Sequence, residues 1–194
     1  MDRSDHNTRV GLLGGSFNPA HEGHVEISEV ALEFLALDYV WWLVSPGNPL
    51  KDKSTLAPYE ERVKTARALK KDDRIIISEL ERNFETHYTI DTLKKIKETM
   101  PRYHYVWLMG ADNLIEFDKW KDWRLIAETV PFAIFSRPSY SKASLDSLAA
   151  KALKDYRIGT NKAKALHRMK PPAWVFCDLT ENPASSTEIR SKTM

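Results

Sequence analysis

The amino-acid sequence predicts an α/β fold, a doubly wound and mainly parallel sheet with helices on both faces. Short apolar runs alternate along the chain with longer segments in which apolar residues recur at helical spacing. Parallel strands need a crossover connection, and a helix is the usual crossover. No internal repeat or low-complexity linker interrupts this alternation, so residues 1–194 are expected to form a single domain.

The positions of the elements follow from where each apolar pattern starts and stops. The predicted strands are residues 10–13, 39–44, 74–78, 103–109, 131–135 and 174–177. The predicted helices are residues 25–35, 59–70, 89–100, short patterns at 114–115 and 125–126, a stretch near 145–153, and a capped helix at 185–191. Residues 136–172 are rich in Ser, Lys and Ala and are interpreted as a peripheral excursion.

The composition is that of an ordinary globular protein. A hydrophobic share of 42% with 29% charged residues excludes a disordered, collagen-like or membrane-spanning chain. The formal net charge is only +2, and no Lys/Arg block is dense enough to follow a nucleic-acid backbone, so no nucleic-acid partner is expected. The longest apolar run, residues 39–44, is too short to cross a bilayer, so no membrane partner is expected either.

The single cysteine, Cys177, has no partner for a disulfide or for a cysteine-based metal site, which suits a reducing compartment. Residues 1–9 are polar and lack the apolar stretch of a signal peptide. We therefore expect a cytoplasmic protein. The sequence is compatible with a homo-oligomer and does not specify the oligomeric state.

The densest chemical signal is segment 14–24, Gly-Gly-Ser-Phe-Asn-Pro-Ala-His-Glu-Gly-His, where the first strand meets the first helix. Gly14 and Gly15 are expected to form a turn whose backbone N–H groups hold phosphate oxygens in front of the helix N-terminus. His21 and His24 are three residues apart, so on a helix they share a face and reach the same phosphates. The segment therefore predicts a nucleotide-binding site.

Other interpretations of this segment have less support. Its glycines do not have the Gly-x-Gly-x-x-Gly spacing of dinucleotide-binding proteins, and the Gly-Lys-Ser/Thr of a P-loop is absent. A His-x-x-His pair also occurs in metal sites, but neither a cysteine nor a His-Glu-x-x-His pattern accompanies it. Phosphate binding is favoured over metal ligation, and no protein metal site is expected.

Segment 15–24 resembles the His-x-Gly-His motif of the nucleotidyltransferases, and in particular that of the bacterial nicotinate-nucleotide adenylyltransferases. Further segments fall in the order of that family and extend the resemblance over nearly the whole chain. They are residues 45–51 (Ser-Pro-Gly-Asn-Pro-Leu-Lys), 88–93 (Tyr-Thr-Ile-Asp-Thr-Leu), 109–112 (Met-Gly-Ala-Asp), Trp120, 136–138 (Ser-Arg-Pro) and 185–190 (Ser-Ser-Thr-Glu-Ile-Arg).

The resemblance implies a Rossmann-like doubly wound sheet and a defined reaction. Nicotinate mononucleotide would attack ATP, giving deamido-NAD and pyrophosphate. ATP and nicotinate mononucleotide would be the partners, and Mg²⁺ would accompany ATP. Such a transfer needs in-line positioning and neutralisation of phosphate charge, and it needs no covalent enzyme intermediate.

The resemblance also implies roles for individual residues. His21 and His24 would be the catalytic residues at the ATP phosphates, with His24 stabilising the transition state at the α-phosphate. Asp112 would accept a hydrogen bond from a ribose hydroxyl or cap the next helix. Arg190 would reach the β- and γ-phosphates from one turn after a capped helix start. The implied ATP-binding residues are Gly14, Gly15, Ser16, Phe17, Gly110, Asp112, Ser186, Thr187 and Arg190.

For the acceptor, the resemblance points to Asn48, Lys51, Thr89, Trp120 and Arg137. Trp120 would stack on the pyridine ring, since a flat aromatic side chain pairs well with a flat cationic ring. Arg137 would bind the phosphate of the mononucleotide.

The chain departs from many relatives at two places. Asn-Pro-Leu-Lys at 48–51 replaces Pro-Pro-His-Lys, so Lys51 carries more of that segment's task. Lys121 follows Trp120 where tyrosine is common. A lysine keeps the backbone N–H expected to hold the nicotinate carboxylate, and its positive charge favours the acid over the amide.

Three other functions remain open at this stage. The acceptor is nicotinamide mononucleotide or phosphopantetheine in related adenylyltransferases, although Thr89 and Trp120 argue against phosphopantetheine. A class I aminoacyl-tRNA synthetase also carries His-x-Gly-His, but 194 residues leave no room for an anticodon-binding domain. A non-catalytic nucleotide-sensing module would use the same phosphate cradle without needing both histidines.

Overall fold

The computed structural model describes residues 7–47, 56–137 and 140–180, together with residues 182, 186, 189 and 190. These residues build one parallel sheet. Its strands are β1 (Arg9–Gly15), β2 (Tyr39–Val44), β3 (Ile75–Ser78), β4 (His104–Gly110), β5 (Phe132–Phe135) and β6 (Trp174–Cys177). Their order across the sheet is β3-β2-β1-β4-β5-β6, and every neighbouring pair is parallel.

Helices connect the strands, as the alternating pattern predicts. They are α1 (Glu22–Phe34), α2 (Tyr59–Leu69), α3 (Leu80–Asn83), α4 (Thr89–Thr99), α5 (Ala111–Glu116), α6 (Trp123–Thr129), α7 (Ser141–Leu145) and α8 (Leu148–Ala152). Short 3₁₀ helices are Phe117–Lys119, Lys154–Tyr156 and Thr160–Arg168. Each predicted strand is present, whereas α3 and the 3₁₀ helices were not predicted.

Each face of the sheet has its own apolar core, because side chains alternate between the faces along a strand. On β4, Trp107 and Met109 enter the first core, while Val106 and Leu108 enter the second. Helices α4, α5, α6 and α8 complete the first core, and α1, α2 and the 3₁₀ helix Thr160–Arg168 complete the second. The predicted arrangement, with helices on both faces, is confirmed.

The segment 136–172 is not the peripheral excursion that its composition suggested. Its described residues form the crossover from β5 to β6 and contact both cores. Ala149 and Ala150 of α8 are buried in the first core, and Ala163 and Leu166 are buried in the second. Alanines bury little apolar area each, so their pattern is hard to see among the lysines that surround them.

The order of the strands places a crevice at the carboxyl ends of the central strands β1 and β4. The chain winds outward from β1 through β2 to β3, and then returns to β4 on the other side of β1. The connections that leave β1 and β4 therefore diverge at their carboxyl ends, which is where ligands bind in such sheets. No helix in the described ranges is long and apolar enough to cross a membrane.

Candidate active site

The segment predicted to bind nucleotide lies at this crevice, at the carboxyl end of β1. Gly14 and Gly15 are the last two residues of the strand and do not form the turn, which corrects the sequence prediction. A Cβ on Gly14 would lie 2.5 Å from the Trp107 ring, so a glycine is needed there for close packing. The turn is made by the residues that follow.

The turn is built around Phe17, whose backbone is left-handed with a φ of 47°. The Phe17 ring is buried, stacks on Trp42 with centroids 5.0 Å apart, and lies 4.7 Å from the His24 ring. Non-glycine residues rarely adopt a left-handed backbone, and they keep it where the surrounding packing holds them. The packing of Phe17 thus sets how the chain enters α1.

The two predicted catalytic histidines meet at the start of α1. His21 is the N-cap, and His24 lies in the first turn. The backbone N–H of His21 donates to Nδ1 of His24 at 3.2 Å, and the ring centroids are 3.9 Å apart. Because Nδ1 of His24 is an acceptor, the neutral ring carries its proton on Nε2, which is then a hydrogen-bond donor. The helix N-terminus around the pair favours an anion.

Burial keeps both imidazoles neutral at physiological pH. It lowers the pKa of His21 to about 4, with the positive charge of Arg137 as a second cause. Burial, followed by the charges of His21 and Arg137, also lowers the pKa of His24 well below its usual value. Within the described ranges, the buried Nδ1 atom of His21 has no hydrogen-bond partner. An unpartnered buried nitrogen at a helix N-terminus fits a site that a ligand completes.

Further predicted residues follow the carboxyl ends of β4 and β5, on the same side of the sheet as the histidines. Gly110 ends β4 and is the N-cap of α5, and Asp112 lies in the first turn of that helix. Nη1 of Arg137 donates to the Asp112 carboxylate at 2.9 Å, and the Arg137 side chain is 15% exposed. Arg137, predicted to bind the acceptor phosphate, therefore lies beside residues predicted to bind ATP.

The second predicted ATP motif contacts the first, although the two are far apart in sequence. Ser186 Oγ donates to the Pro19 carbonyl at 2.9 Å, and Nη1 of Arg190 donates to the Asn18 carbonyl. Ser186 and Arg190 are both helical. Thr187, Asn48 and Lys51, which were also predicted as site residues, lie outside the described residues.

A cavity joins the nucleotide-binding segment to the predicted acceptor residues. Gly14, Gly15 and Ser16 line one side, and Thr89 and Trp120 line the other. The structure thus brings together residues that the sequence separates by about a hundred positions. Thr89 is the first residue of α4, so its backbone N–H belongs to a helix N-terminus that faces the cavity.

Trp120 and Lys121 form one wall of this cavity. Edge-to-face contacts set the orientation of the Trp120 ring, whose centroid is 5.5 Å from Phe117 and 6.4 Å from Trp107. Nζ of Lys121 lies 3.0 Å from the Asp91 carboxylate. The wall thus presents an aromatic surface beside a positive charge.

One backbone donor that the sequence analysis expected at this wall is already in use. The N–H of Trp120 donates to the Phe117 carbonyl at 3.0 Å. In the described part of the chain, the N–H of Lys121 makes no hydrogen bond to another backbone group. Of the two backbone groups, that of Lys121 is therefore the one that is still available to a ligand.

Comparisons with known proteins agree with this geometry. Residues 12–192 match the family model described as Cytidylyltransferase-like. The probable nicotinate-nucleotide adenylyltransferase of Parvibaculum lavamentivorans is 45% identical over 95% of this chain and 92% of its own length. That of Agrobacterium fabrum is 44% identical over 94% of this chain and 97% of its own. The chain belongs to the nicotinate-nucleotide adenylyltransferase family.

A solved structure shares the fold of this adenylyltransferase. The Plasmodium falciparum nicotinic acid mononucleotide adenylyltransferase complexed with NaAD matches with a TM-score of 0.70 at 18% identity. The match covers 95% of this chain and 83% of that chain. It confirms the Rossmann-like doubly wound sheet expected from the sequence.

Arg62, which was not predicted as a site residue, is a buried cation that holds the backbone of the loops beside the site. Its guanidinium donates to the carbonyls of Ser16 at 2.6 Å, Ser45 at 2.8 Å and Ala57 at 3.0 Å. These carbonyls belong to the loops that leave β1 and β2, so one side chain fixes both loops. In the sequence, Arg62 stands in a strongly charged helix, and nothing distinguishes it from the surface charges around it.

Replacing Arg62 with methionine is expected to lower the free energy of unfolding by about 3 kcal/mol, because several buried carbonyls lose a charged donor. Urea denaturation would measure the change. Arg67→Met is the matched control, since Arg67 lies on the same helix but pairs with Glu79 at the surface. The control should change stability by less than about 1 kcal/mol. Equal effects of the two substitutions would contradict the role given to Arg62.

Glu81 of α3 was also missed, although it lines the same cavity. The side chain is buried, and the side chains of Ser45 and Thr92 are near its carboxyl group. Burial raises the pKa of Glu81 to about 7, and the polar side chains of Ser45 and Thr92 oppose the shift. A glutamate in a short polar segment gives no sign in sequence that it is buried.

Groups of three or more His, Cys, Asp or Glu side chains that could hold a metal ion are absent from the described ranges. Asp112, the carboxylate among the predicted site residues, is already paired with Arg137.

Proposed function

We propose that this chain transfers the adenylyl group of ATP to nicotinate mononucleotide, forming deamido-NAD and pyrophosphate, a step in NAD biosynthesis. One observation supports this most strongly. The loop and helix N-terminus that carry His21 and His24 adjoin a cavity lined by Thr89 and Trp120. The proposed triphosphate site and the proposed site for a flat ring would then share the crevice between β1 and β4, and the relatives carry the same activity in their names.

In the reaction, a phosphate oxygen of the mononucleotide attacks the α-phosphorus of ATP. The bond from the α-phosphorus to the bridging oxygen breaks, and pyrophosphate leaves with that oxygen. His24 donates from Nε2 to an α-phosphate oxygen as charge builds up in the transition state. His21 and the first N–H groups of α1 contact the same phosphates.

Mg²⁺ would enter with ATP and be held by the phosphate oxygens, where it supplies charge neutralisation. The chain's own residues orient the two substrates. The ring of Trp120 stacks on the pyridinium ring, and the N-terminus of α4 at Thr89 binds the nicotinate carboxylate. Arg137, beside Asp112 and the histidines, binds phosphate oxygens near the point of attack.

The experiment that tests this proposal is pyrophosphate release with ATP and Mg²⁺. Nicotinate mononucleotide, nicotinamide mononucleotide and phosphopantetheine are offered in parallel as acceptors. Release with nicotinate mononucleotide well above the other two is expected. Release with another acceptor alone would contradict the proposal, and no release with any of them would favour a nucleotide-sensing module.

Arg190→Ala is expected to raise the Michaelis constant for ATP and to change turnover much less. A contact with the β- and γ-phosphates is made in both the ground state and the transition state, so its loss weakens uniform binding. Steady-state kinetics with varied ATP would measure the effect. Arg190→Lys keeps the charge but not the bidentate geometry, so its Michaelis constant for ATP should lie between those of the unaltered chain and Arg190→Ala. An unchanged Michaelis constant for Arg190→Ala would remove Arg190 from the ATP site.

A further inference from the structure

Glu81 is a buried acid in the wall of the cavity that the proposed function assigns to an anionic acceptor. The residue is 6% exposed and lines the cavity together with Thr89, Trp120 and Lys121. A carboxylate in such a place is costly unless it is paired, and an acid that stays neutral is the usual solution. The reaction described above makes no use of this group.

The surroundings of Glu81 link its short helix to the start of α4. Its carboxyl group is near Ser45, which follows β2, and near Thr92 of α4. The Thr92 hydroxyl is 2.8 Å from the Thr86 hydroxyl, and Thr86 in turn donates its N–H to the Glu81 carbonyl at 2.9 Å. These hydrogen bonds through Thr86 hold the start of α4, and therefore Thr89, against the helix that carries Glu81.

Within the described ranges, no ion pair involves Glu81. Lys121, which lines the same cavity, is already paired with Asp91, and Arg62 donates to the Ser45 carbonyl. The charged or titratable groups on the elements packed around Glu81 are His87, Tyr88, Lys121, Asp91 and Arg62, with Arg82 on α3 and Glu79 at its N-cap.

We propose that Glu81 is a specificity-determining residue, which admits the carboxylate of the acid acceptor when neutral and repels that carboxylate when ionised. The proposal rests on the proposed function. It goes further by making the preference for acid over amide depend on pH. The amide acceptor has no carboxylate, so ionisation of Glu81 affects its binding far less.

The direction of the pH dependence follows from the sign of the charge. The pKa of Glu81 is about 7, so Glu81 is mainly neutral below this pH and mainly ionised above it. Binding of the acid acceptor requires the neutral form of Glu81. The apparent Michaelis constant for this acceptor therefore rises as the fraction of neutral Glu81 falls. Between about pH 6 and about pH 8 the neutral fraction falls about tenfold, and the acid-over-amide ratio should fall by the same factor.

The experiment measures kcat/KM for both mononucleotides at saturating ATP across this pH range. Both acceptors carry the same phosphate group, so its titration cancels in the ratio. For the unaltered chain the ratio should fall about tenfold, through the Michaelis constant of the acid rather than through turnover. In Glu81→Gln, which keeps the shape and hydrogen bonds of the neutral acid, the ratio should be independent of pH. His87→Gln is the matched control and should keep the fall.

A second measurement keeps the test valid if Glu81→Gln fails to fold. Calorimetry of the unaltered chain, in buffers with different ionisation enthalpies, reports the protons taken up on binding. Near pH 8, nicotinate mononucleotide should bind with uptake of almost one more proton than nicotinamide mononucleotide. A pH-independent ratio, an unchanged slope in Glu81→Gln or equal proton uptake would overturn the inference about Glu81. Absence of transfer to either acceptor would instead overturn the proposed function.

Discussion

Replacing His24 with alanine is expected to lower turnover by about a hundredfold or more, the size of effect seen when one donor to a developing oxyanion is lost. The ring is held by Phe17, by the His21 ring and by the backbone N–H of His21, so its Nε2 proton is already oriented before substrates arrive. Single-turnover kinetics at saturating ATP and acceptor would measure the chemical step directly.

Two matched variants separate the roles of the two ring nitrogens. In His24→Asn, the shorter amide side chain can still accept the hydrogen bond from the His21 backbone in place of Nδ1, but it has no donor at the position of Nε2. His24→Gln places an amide near Nε2 and gives up the bond to His21. We expect His24→Asn to be as slow as His24→Ala, and His24→Gln to recover part of the rate. Near-normal turnover of His24→Ala would remove His24 from the reaction.

The second large effect concerns the choice of acceptor. Nicotinate mononucleotide should be preferred over nicotinamide mononucleotide by at least about one to two orders of magnitude in kcat/KM, where Glu81 is neutral. The donors available to a carboxylate are the Thr89 hydroxyl, the N-terminus of α4 and the backbone N–H of Lys121. An amide turns its NH₂ group toward one of these donors, and that donor is then left without an acceptor.

Charge-assisted hydrogen bonds contribute about 1.5 to 3 kcal/mol each, so two of them account for a preference of this size. Thr89→Val keeps the shape of the side chain and removes the hydroxyl, and it should reduce the preference. Thr99→Val, at the exposed end of the same helix, is the control and should leave the preference intact. Equal specificity constants for the two acceptors would contradict acid selectivity while leaving adenylyl transfer itself intact.

The sequence predicts the fold well because each strand is a compact apolar run. Residues 174–177 and 39–44 were located to the residue. The 3₁₀ helix Thr160–Arg168 was missed, because its core contacts come from Ala163 and Leu166 among charged neighbours. Local patterns identify long apolar segments more readily than single small residues that become buried through tertiary packing.

The same contrast between local patterns and tertiary packing applies to the residues of the site. His21, His24, Thr89 and Trp120 were predicted because they belong to motifs, and the structure places them around one crevice. Arg62 and Glu81 were not found, because a charged residue becomes part of a buried site only through the elements that close over it. Burial of a charge is a property of the folded chain, and the residue type by itself argues against it.

The most direct test of adenylyl transfer follows labelled phosphorus from ATP into the products. With ATP labelled at the α-phosphorus, all transferred label should appear in a dinucleotide of the mass of deamido-NAD. With ATP labelled at the γ-phosphorus, all released label should appear in pyrophosphate. This pattern is the one predicted for adenylyl transfer to nicotinate mononucleotide. Label from the γ-position on the mononucleotide, or release of inorganic phosphate without a labelled dinucleotide, would contradict it.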